Sequence, residues 1–193
     1  MAPGDRDGDV EAAADDLDGN RAELEAVLLD DPFSVHLGAQ VTAWGGGWAE
    51  AELTLADHHT NLARIAHGGV TFGLGDVVFA LSSNSWGRLA VALAVDIQFL
   101  RAAEAGQRLL ATSRERHRTR RTAAYLVEVR SRPSDIDSRS RPSDIESRSR
   151  PSDLSVEGDE AGELVASLHA MVHRTDRWHL GEDAWSEAWR RTH

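Results

Sequence analysis

Residues 61–86, with the sequence NLARIAHGGVTFGLGDVVFALSSNSW, decide the fold that we expect for the rest of the chain. Behind a pair of glycines, apolar side chains recur at the spacing of an α-helix and give that helix a wide apolar face. We therefore predict one long helix over residues 68–85. Gly73 and Gly75 each weaken such a helix by about 1 kcal/mol relative to alanine. This cost indicates a helix that is buried or closely approached by another backbone.

The start of this helix is a candidate site for a carbonyl oxygen or an anion. The first four N–H groups of a helix lack partners inside it, and the helix dipole is positive at that end. Gly68 and Gly69 let a substrate approach these amides without a Cβ atom in the way. The backbone would then stabilise an oxyanion. The alternative, which the local sequence leaves open, is a glycine hinge in front of a helix.

Asp76 is the acidic residue of the apolar helix, with no other acid between Asp57 and Asp96. Desolvation on such a helix raises the pKa of a carboxyl group and suits it to act as general base or nucleophile. The alternative is an aspartate on an exposed stripe. At a rise of 1.5 Å per residue, Asp76 lies about 12 Å from the Gly68 amide along one helix. Both groups can act on one carbonyl only if two antiparallel helices from two chains meet at a two-fold axis.

The composition limits the classes of protein. The 193 residues suit one domain with tails. A net charge of −11 argues against nucleic acid and against an anionic membrane surface as partners. Because the chain has no cysteine, disulfides, zinc–thiolate sites and thiol nucleophiles are excluded. We expect a cytoplasmic protein, since the N-terminus has no signal-peptide pattern and no apolar run approaches the roughly 18 residues of a membrane helix.

The rest of the sequence predicts strands both before and after this helix. We expect a short amphipathic helix from Asn20, a hairpin of strands 33–43 and 48–55 with a glycine turn, and an irregular loop over 56–66. After the long helix, the predicted strands are 89–100, 107–118, 123–131 and 163–173. Together these elements predict an α+β fold in which an antiparallel sheet wraps around one long central helix.

The expected domain organisation is one domain between two tails. Residues 1–19 are an acidic leader that we expect to be disordered, and the domain covers 20–174. Within it, residues 132–161 contain a nine-residue repeat that we interpret as a disordered loop, with a docking segment or phosphorylation target as the alternative. The tail, 175–193, holds tryptophans four residues apart, which predicts a short helix packed on the domain or on another subunit.

Several motifs together resemble a known family. The matching features are an asparagine before HGG, an acid eight residues after the first glycine of that pair, the dipeptide Asn84-Ser85, and the strand sequences DIQFLR and AGQRLLA. In this combination the chain resembles the hotdog-fold acyl-CoA thioesterases, specifically the phenylacetic acid degradation (PaaI-type) branch. The resemblance covers about residues 33–174 apart from the insert.

The resemblance implies hydrolysis of an acyl-CoA thioester without a cofactor. Phenylacetyl-CoA or hydroxyphenylacetyl-CoA is the expected substrate, and a medium-chain acyl thioester is the alternative. It implies that Asp76 activates water or attacks the carbonyl carbon, and that the Gly68 amide polarises the thioester oxygen. Asn61 matches the position that orients the water or the substrate, and His67 either braces the loop or touches the substrate. The spacing of Gly68 and Asp76 on one helix predicts a homodimer with shared active sites, and the resemblance further implies a tetramer.

Other residues are expected to contact the substrate. Ala80 and Ala94 occupy positions where related branches carry hydroxyl residues, and neighbouring polar side chains are expected to compensate. Arginines in the run RERHRTRR are candidates for the phosphates of coenzyme A. The expected substrate contacts are Gly69, Ser82, Ser83, Asn84, Arg116 and Arg118.

Two other functions and a metal site were weighed against the thioesterase. A non-catalytic acyl-CoA-binding hotdog module would keep the fold and lose the acid, whereas Asn61, Gly68 and Asp76 are all present. A hotdog hydratase or dehydratase would need an aspartate and histidine pair on one β-carbon, which the sequence does not offer. His58 and His59 lack further ligands at suitable spacing, so we predict no metal.

Overall fold

The computed structural model describes residues 6–132 and 162–193. The α-helices are α1 (Arg6–Leu28), α2 (Pro32–Leu37), α3 (Gly68–Asn84) and α4 (Glu187–Thr192). The strands are β1 (Gln40–Gly45), β2 (Trp48–Thr54), β3 (Arg88–Phe99), β4 (Arg108–Arg118), β5 (Thr122–Arg132) and β6 (Glu163–Trp178). Short 3-10 turns cover Asp57–His59 and Glu182–Ala184.

These strands form one six-stranded antiparallel sheet in the order β1-β2-β4-β5-β6-β3. Along β5, buried and half-buried side chains alternate, as a sheet with one covered face requires. The helix that covers this face is α3, which contacts every strand of the sheet. The predicted α+β architecture, an antiparallel sheet wrapped around one long central helix, is therefore confirmed.

The glycines inside α3 lie where other parts of the chain approach it closely. A Cβ atom on Gly75 would lie 3.0 Å from Cδ2 of Leu168 in β6, and one on Gly73 would lie 3.1 Å from the Phe33 ring. The sheet and α2 therefore pack directly against the helix backbone. Both glycines are buried, as the sequence indicated, but the groups that approach them are side chains and not another backbone. The helix itself has nearly the predicted bounds.

A helix stands where the first part of a strand was predicted. We predicted a strand over 33–43, but α2 occupies its first half and β1 begins only at Gln40. The Asp31 carboxylate caps α2 by accepting hydrogen bonds from its first backbone amides at 3.1 and 3.2 Å. Pro32 suits the first helical position, and Gly38 ends the helix with a φ of 79°. Since β1 pairs with β2, the hairpin itself is confirmed.

The ends of the chain differ from the predicted element bounds. Helix α1 begins at Arg6 and not near Asn20, so it extends into the predicted leader. Strand β6 continues to Trp178, past the predicted end at residue 173. The division into leader, domain and tail stays a prediction.

The C-terminal tail packs back on its own domain. Trp189 lies on α4 and Trp185 just before it, and both side chains are buried. The Trp189 ring lies 5.9 Å from that of Trp86, at the end of α3, and the Trp185 ring lies 5.6 Å from that of Trp178. Of the two placements that we considered for the tail, the structure shows the intramolecular one.

The last two predictions concern the repeat insert and membrane-spanning helices. Beyond Arg132, the predicted repeat insert lies outside the described residues. Within the described parts of the chain, no helix combines the length and the apolar character needed to cross a membrane.

Candidate active site

The backbone N–H group of Gly68, at the start of α3, has no hydrogen-bond partner in the described part of the chain. The amides of Val70 and Thr71 donate to the His67 carbonyl at 2.9 and 3.3 Å. The amide of Gly69 donates to Nδ1 of His67 at 2.9 Å. Among the first four amides of this helix, only that of Gly68 has no hydrogen-bond partner within the described residues. It is therefore the amide that a ligand oxygen can use.

His67 holds the start of the helix in place. Its backbone N–H donates to the His59 carbonyl at 2.8 Å, and its ring caps the helix through the bond from Gly69. Because Nδ1 accepts that bond, the proton of the neutral ring lies on Nε2. The bracing role of His67 is thus visible, whereas contact of His67 or Gly69 with substrate stays a prediction.

Asn61 lies in a tight loop before α3. Its backbone N–H donates to the Ile65 carbonyl at 2.8 Å, and its Oδ1 accepts from the Ala63 amide at 2.8 Å. Its Nδ2 has no hydrogen-bond partner in the described part of the chain. Arg64, in the same loop, has a φ of 64°, which is unfavourable for a side chain of this kind. The loop bonds hold this conformation, which leaves Nδ2 of Asn61 available as a donor.

The carboxyl group of Asp76 is half-buried in the middle of α3. Within the described part of the chain, no group donates a hydrogen bond to it. Burial raises the pKa of Asp76 above its ordinary value, and the negative charge of Asp31 adds to the shift. The direction is the one expected from its apolar surroundings, and it makes the carboxylate a stronger base than an exposed aspartate.

Two cavities lie along α3. One, of about 360 Å³, is at the helix start, where Gly68 and the Phe99 ring are part of its lining. The other, of about 390 Å³, lies farther along the helix beside Val77 and Ala80, and the α1–α2 connection with Asp31 lines another side of it. Both cavities have room for parts of a small organic ligand.

The two chemical groups are not brought together within one chain. Gly68 and Asp76 are both on α3, and the rise of an α-helix separates them by about 12 Å. Each chain therefore offers an amide and a carboxyl group that cannot both reach one carbonyl carbon.

Polar residues at the other end of α3 are occupied inside the protein. The Ser82 side chain is 0% exposed, and its Oγ lies 2.6 Å from Oγ of Ser113 in β4. Ser83 is also buried, and Oδ1 of Asn84 lies 2.8 Å from Nε2 of His179. These contacts tie the helix end to the sheet and the tail. The predicted substrate contacts at these positions stay a prediction.

The two arginines predicted to bind coenzyme A have different surroundings. Arg116 is exposed at the end of β4. Arg118 is half-buried, with its Nε 3.3 Å from a Glu115 oxygen and its guanidinium 4.3 Å above the Trp86 ring. Their contact with phosphate also stays a prediction.

The sequence did not reveal that Asp31 lies near Asp76. Asp31 caps α2, and α2 packs on α3. The cap motif, an aspartate before a proline, is visible in the sequence. The packing of α2 on α3 has no local signal.

The fold and these groups define a class of protein. An antiparallel sheet around a central helix is the hotdog architecture. A backbone amide at a helix start and a carboxyl group with a raised pKa are the kinds of group that stabilise an oxyanion and accept a proton. Such groups suit acyl transfer to water.

Comparison with known proteins agrees with this class. The model of the thioesterase superfamily matches residues 64–136. The acyl-coenzyme A thioesterase PaaI of Escherichia coli is 36% identical over 104 residues, which are 54% of this chain and 74% of that protein. A putative esterase of Archaeoglobus fulgidus is 40% identical over 95 residues, 49% of this chain but only 62% of the relative, less than two thirds of its length.

Solved structures show the same relationship. A variant of the phenylacetic acid degradation protein PaaI from Thermus thermophilus superposes with a TM-score of 0.59 and 32% identity, covering 75% of this chain and 100% of that one. The PaaI protein of E. coli gives a TM-score of 0.63 at 26% identity, covering 83% and 94%. The chain belongs to the thioesterase superfamily, and it has the hotdog fold of the PaaI-type members.

Proposed function

We propose that this protein hydrolyses acyl-CoA thioesters in active sites that two copies of the chain build together. The observation that carries the proposal is the presence on α3 of a free amide at Gly68 and a half-buried carboxyl group at Asp76, neither of which has a partner within the described residues. The E. coli relative that is 36% identical is named an acyl-coenzyme A thioesterase, which supports the same reaction here.

The proposed reaction uses Asp76 as a general base. Its carboxylate takes a proton from water while the water oxygen attacks the thioester carbonyl carbon. The carbonyl oxygen becomes an oxyanion and accepts a hydrogen bond from the Gly68 amide of the other chain. The C–S bond then breaks, the sulfur leaves with the electron pair and takes up a proton, and the products are a free acid and CoA. Direct attack by the carboxylate is the alternative, and it would pass through a mixed anhydride.

We assign Asn61 to orientation of the water or the thioester. Its Nδ2 is the donor that the loop leaves available, whereas its Oδ1 is used by the Ala63 amide. His67 keeps the Gly68 amide in place through the helix cap, and its Nε2–H is a further donor on an exposed ring.

The edge strand β3 is the place where we expect a second copy of the chain to bind. Because β3 ends the sheet, one row of its backbone groups has no neighbouring strand among the described residues. Its exposed large apolar side chains are Val91, Leu93 and Phe99. A second copy paired with this edge would cover these side chains and lay two α3 helices side by side in opposite directions. Gly68 of one chain would then face Asp76 of the other.

For the acyl group we propose phenylacetyl or hydroxyphenylacetyl. Two structural relatives are proteins of phenylacetic acid degradation. The cavity along α3 is lined in part by the apolar side chains of Val77, Ala80 and Leu81, which suit an aromatic ring.

Release of free thiol from a panel of thioesters tests this function. The panel is phenylacetyl-CoA, hydroxyphenylacetyl-CoA, octanoyl-CoA and acetyl-CoA. We expect kcat/KM for the two aryl thioesters to exceed that for acetyl-CoA by about tenfold or more, because burial of a ring contributes roughly 1.5–3 kcal/mol. Absence of enzyme-dependent thiol release from every thioester would overturn the function. Faster turnover of octanoyl-CoA than of the aryl thioesters would overturn only the acyl assignment.

A further inference from the structure

Arginines from separate parts of the chain meet in a cavity near the C-terminal end of α3. The cavity has a volume of about 680 Å³. We call it the arginine pocket; it is lined by Arg88, Arg118, Thr119, Arg120, Arg174, Arg190, Arg191, Thr192 and His193. One wall comes from strands β3, β4 and β6 with the turn after β4, and the other comes from residues 190–193, which we call the C-terminal segment.

Only part of the positive charge in the arginine pocket is neutralised. The ion pairs are Arg88 with Asp176 (2.6 Å), Arg118 with Glu115 (3.3 Å) and Arg190 with Glu182 (2.6 Å). Arg120, Arg174 and Arg191 have no ion pair within the described residues. Burial and the charge of Arg118 lower the pKa of His193 to about 3, so its imidazole is neutral at physiological pH. The pocket therefore has an excess of positive charge in a chain whose net charge is −11.

Arg174 is the most deeply buried arginine of the pocket. Its side chain is buried, at 5% exposure, and its Nη1 donates to the Thr119 carbonyl at 2.6 Å. Its Nη2 is buried without a hydrogen-bond partner in the described part of the chain. Burial and the charges of Arg118 and Arg88 lower the pKa of Arg174 to about 10, which still leaves it charged at neutral pH. A buried charged donor without an acceptor is unfavourable, and a bound anion would supply that acceptor.

The C-terminal segment contributes a second buried donor without an acceptor among the described residues. Nε of Arg190 is buried without a hydrogen-bond partner among the described residues, although its Nη1 pairs with Glu182. The segment is held in place by aromatic stacking, since the His193 ring lies 3.9 Å from that of Trp189 and 4.5 Å from that of Trp86. Its position against the sheet is therefore fixed by packing, and its arginines complete a wall of the cavity.

We propose that the arginine pocket binds a diphosphate group and that the C-terminal segment forms part of this site. Guanidinium groups match phosphate oxygens with paired N–H donors. The unpaired charges of Arg120, Arg174 and Arg191 match a group with several negative charges better than a single carboxylate. Two sources fit this chemistry, the diphosphate of coenzyme A and a free nucleoside diphosphate. With coenzyme A as the source, the inference rests on the proposed function; the binding of a diphosphate does not.

Titration calorimetry of the full chain with inorganic pyrophosphate tests the proposal without turnover. Arg191→Ala removes an exposed charge that lines the pocket. Arg174→Met removes the buried guanidinium and keeps an unbranched, uncharged side chain in place of its aliphatic part. Arg177→Ala removes an exposed charge outside the pocket and is the matched control. We expect pyrophosphate binding to weaken about fivefold in Arg191→Ala and tenfold or more in Arg174→Met, because bonds to charged groups are strong. The control should stay within about twofold.

The outcomes distinguish a specific anion-binding site from nonspecific attraction of anions to positive charge. Absence of pyrophosphate binding by the unaltered chain, or equal weakening in Arg191→Ala and Arg177→Ala, would overturn the proposal. If Arg174→Met does not fold, the comparison of Arg191→Ala with its control still decides.

Two further titrations, with CoA and with ADP, identify the source. Competition of CoA with pyrophosphate, together with a raised KM and unchanged kcat for the thioester in Arg191→Ala, supports the substrate as source. If ADP competes with pyrophosphate and KM for the thioester is unchanged in Arg191→Ala, the source is a separate effector.

Discussion

Replacing Asp76 by asparagine is expected to lower kcat for thioester hydrolysis by about 10²–10⁴-fold. The substitution keeps the size of the side chain and removes the base that takes the proton from water. Since Asp76 has no hydrogen-bond partner among the described residues, the change breaks no internal bond and the protein should keep its fold. Thiol-release kinetics with circular dichroism of the same preparation measure both effects. Asp18→Asn, which alters an exposed carboxylate on α1, is the matched control and should leave kcat unchanged.

The pH profile sharpens this test. Burial raises the pKa of Asp76, and only the deprotonated form acts as a base, so activity of the unaltered protein should fall as the pH drops through that raised pKa. The residual activity of Asp76→Asn should lack this limb. Retention of near-normal kcat in Asp76→Asn would remove Asp76 from the mechanism.

Replacing Gly68 by valine is expected to lower kcat by about 10²–10³-fold, the effect of losing one oxyanion donor. A Cβ atom at this position would lie 3.2 Å from Cζ of Phe99, and the branched side chain would fill the cavity at the helix start. The substrate carbonyl would then be kept away from the amide. Gly19→Val on α1, where an added Cβ meets nothing within 4 Å, controls for valine in a helix. Normal kcat in Gly68→Val, with the fold preserved, would show that this amide is not the oxyanion donor.

Much of the fold could be predicted from the sequence because its elements have strong local patterns. The apolar periodicity after Gly68 predicted α3, and the alternation of residues over 123–131 predicted the strand that the structure shows as β5. The glycines within α3 also predicted close packing. Such signals depend only on neighbouring residues, so they can be read without knowledge of the tertiary structure.

The first strand was misplaced because two local signals competed. Phe33 and Val35 are large apolar residues separated by one position, which is typical of a strand. The cap at Asp31 and the left-handed Gly38 favour a helix between them, and the structure shows that the helix prevails. Capping, which satisfies backbone groups directly, was the better guide here than alternation over so few residues.

The candidate site was predictable only where it lies on one segment. Asn61, His67, Gly68 and Asp76 all belong to the stretch from the loop to the middle of α3. The arginine pocket joins residues from the start of β3 to the C-terminal segment, so no spacing in the sequence indicates it. The basic run in β4 was visible, but which of its arginines meets other cations is decided by the tertiary fold.

The central claim is that each active site takes Gly68 from one chain and Asp76 from another. Mixing inactive Asp76→Ala chains with inactive Gly68→Val chains, under conditions in which the subunits exchange, tests this directly. Half of the randomly formed dimers would be mixed, and each would have one intact site of two, so about a quarter of the unaltered activity should return. Subunit exchange is first demonstrated, for example with differently tagged chains. If no activity returns after that, the shared site is contradicted.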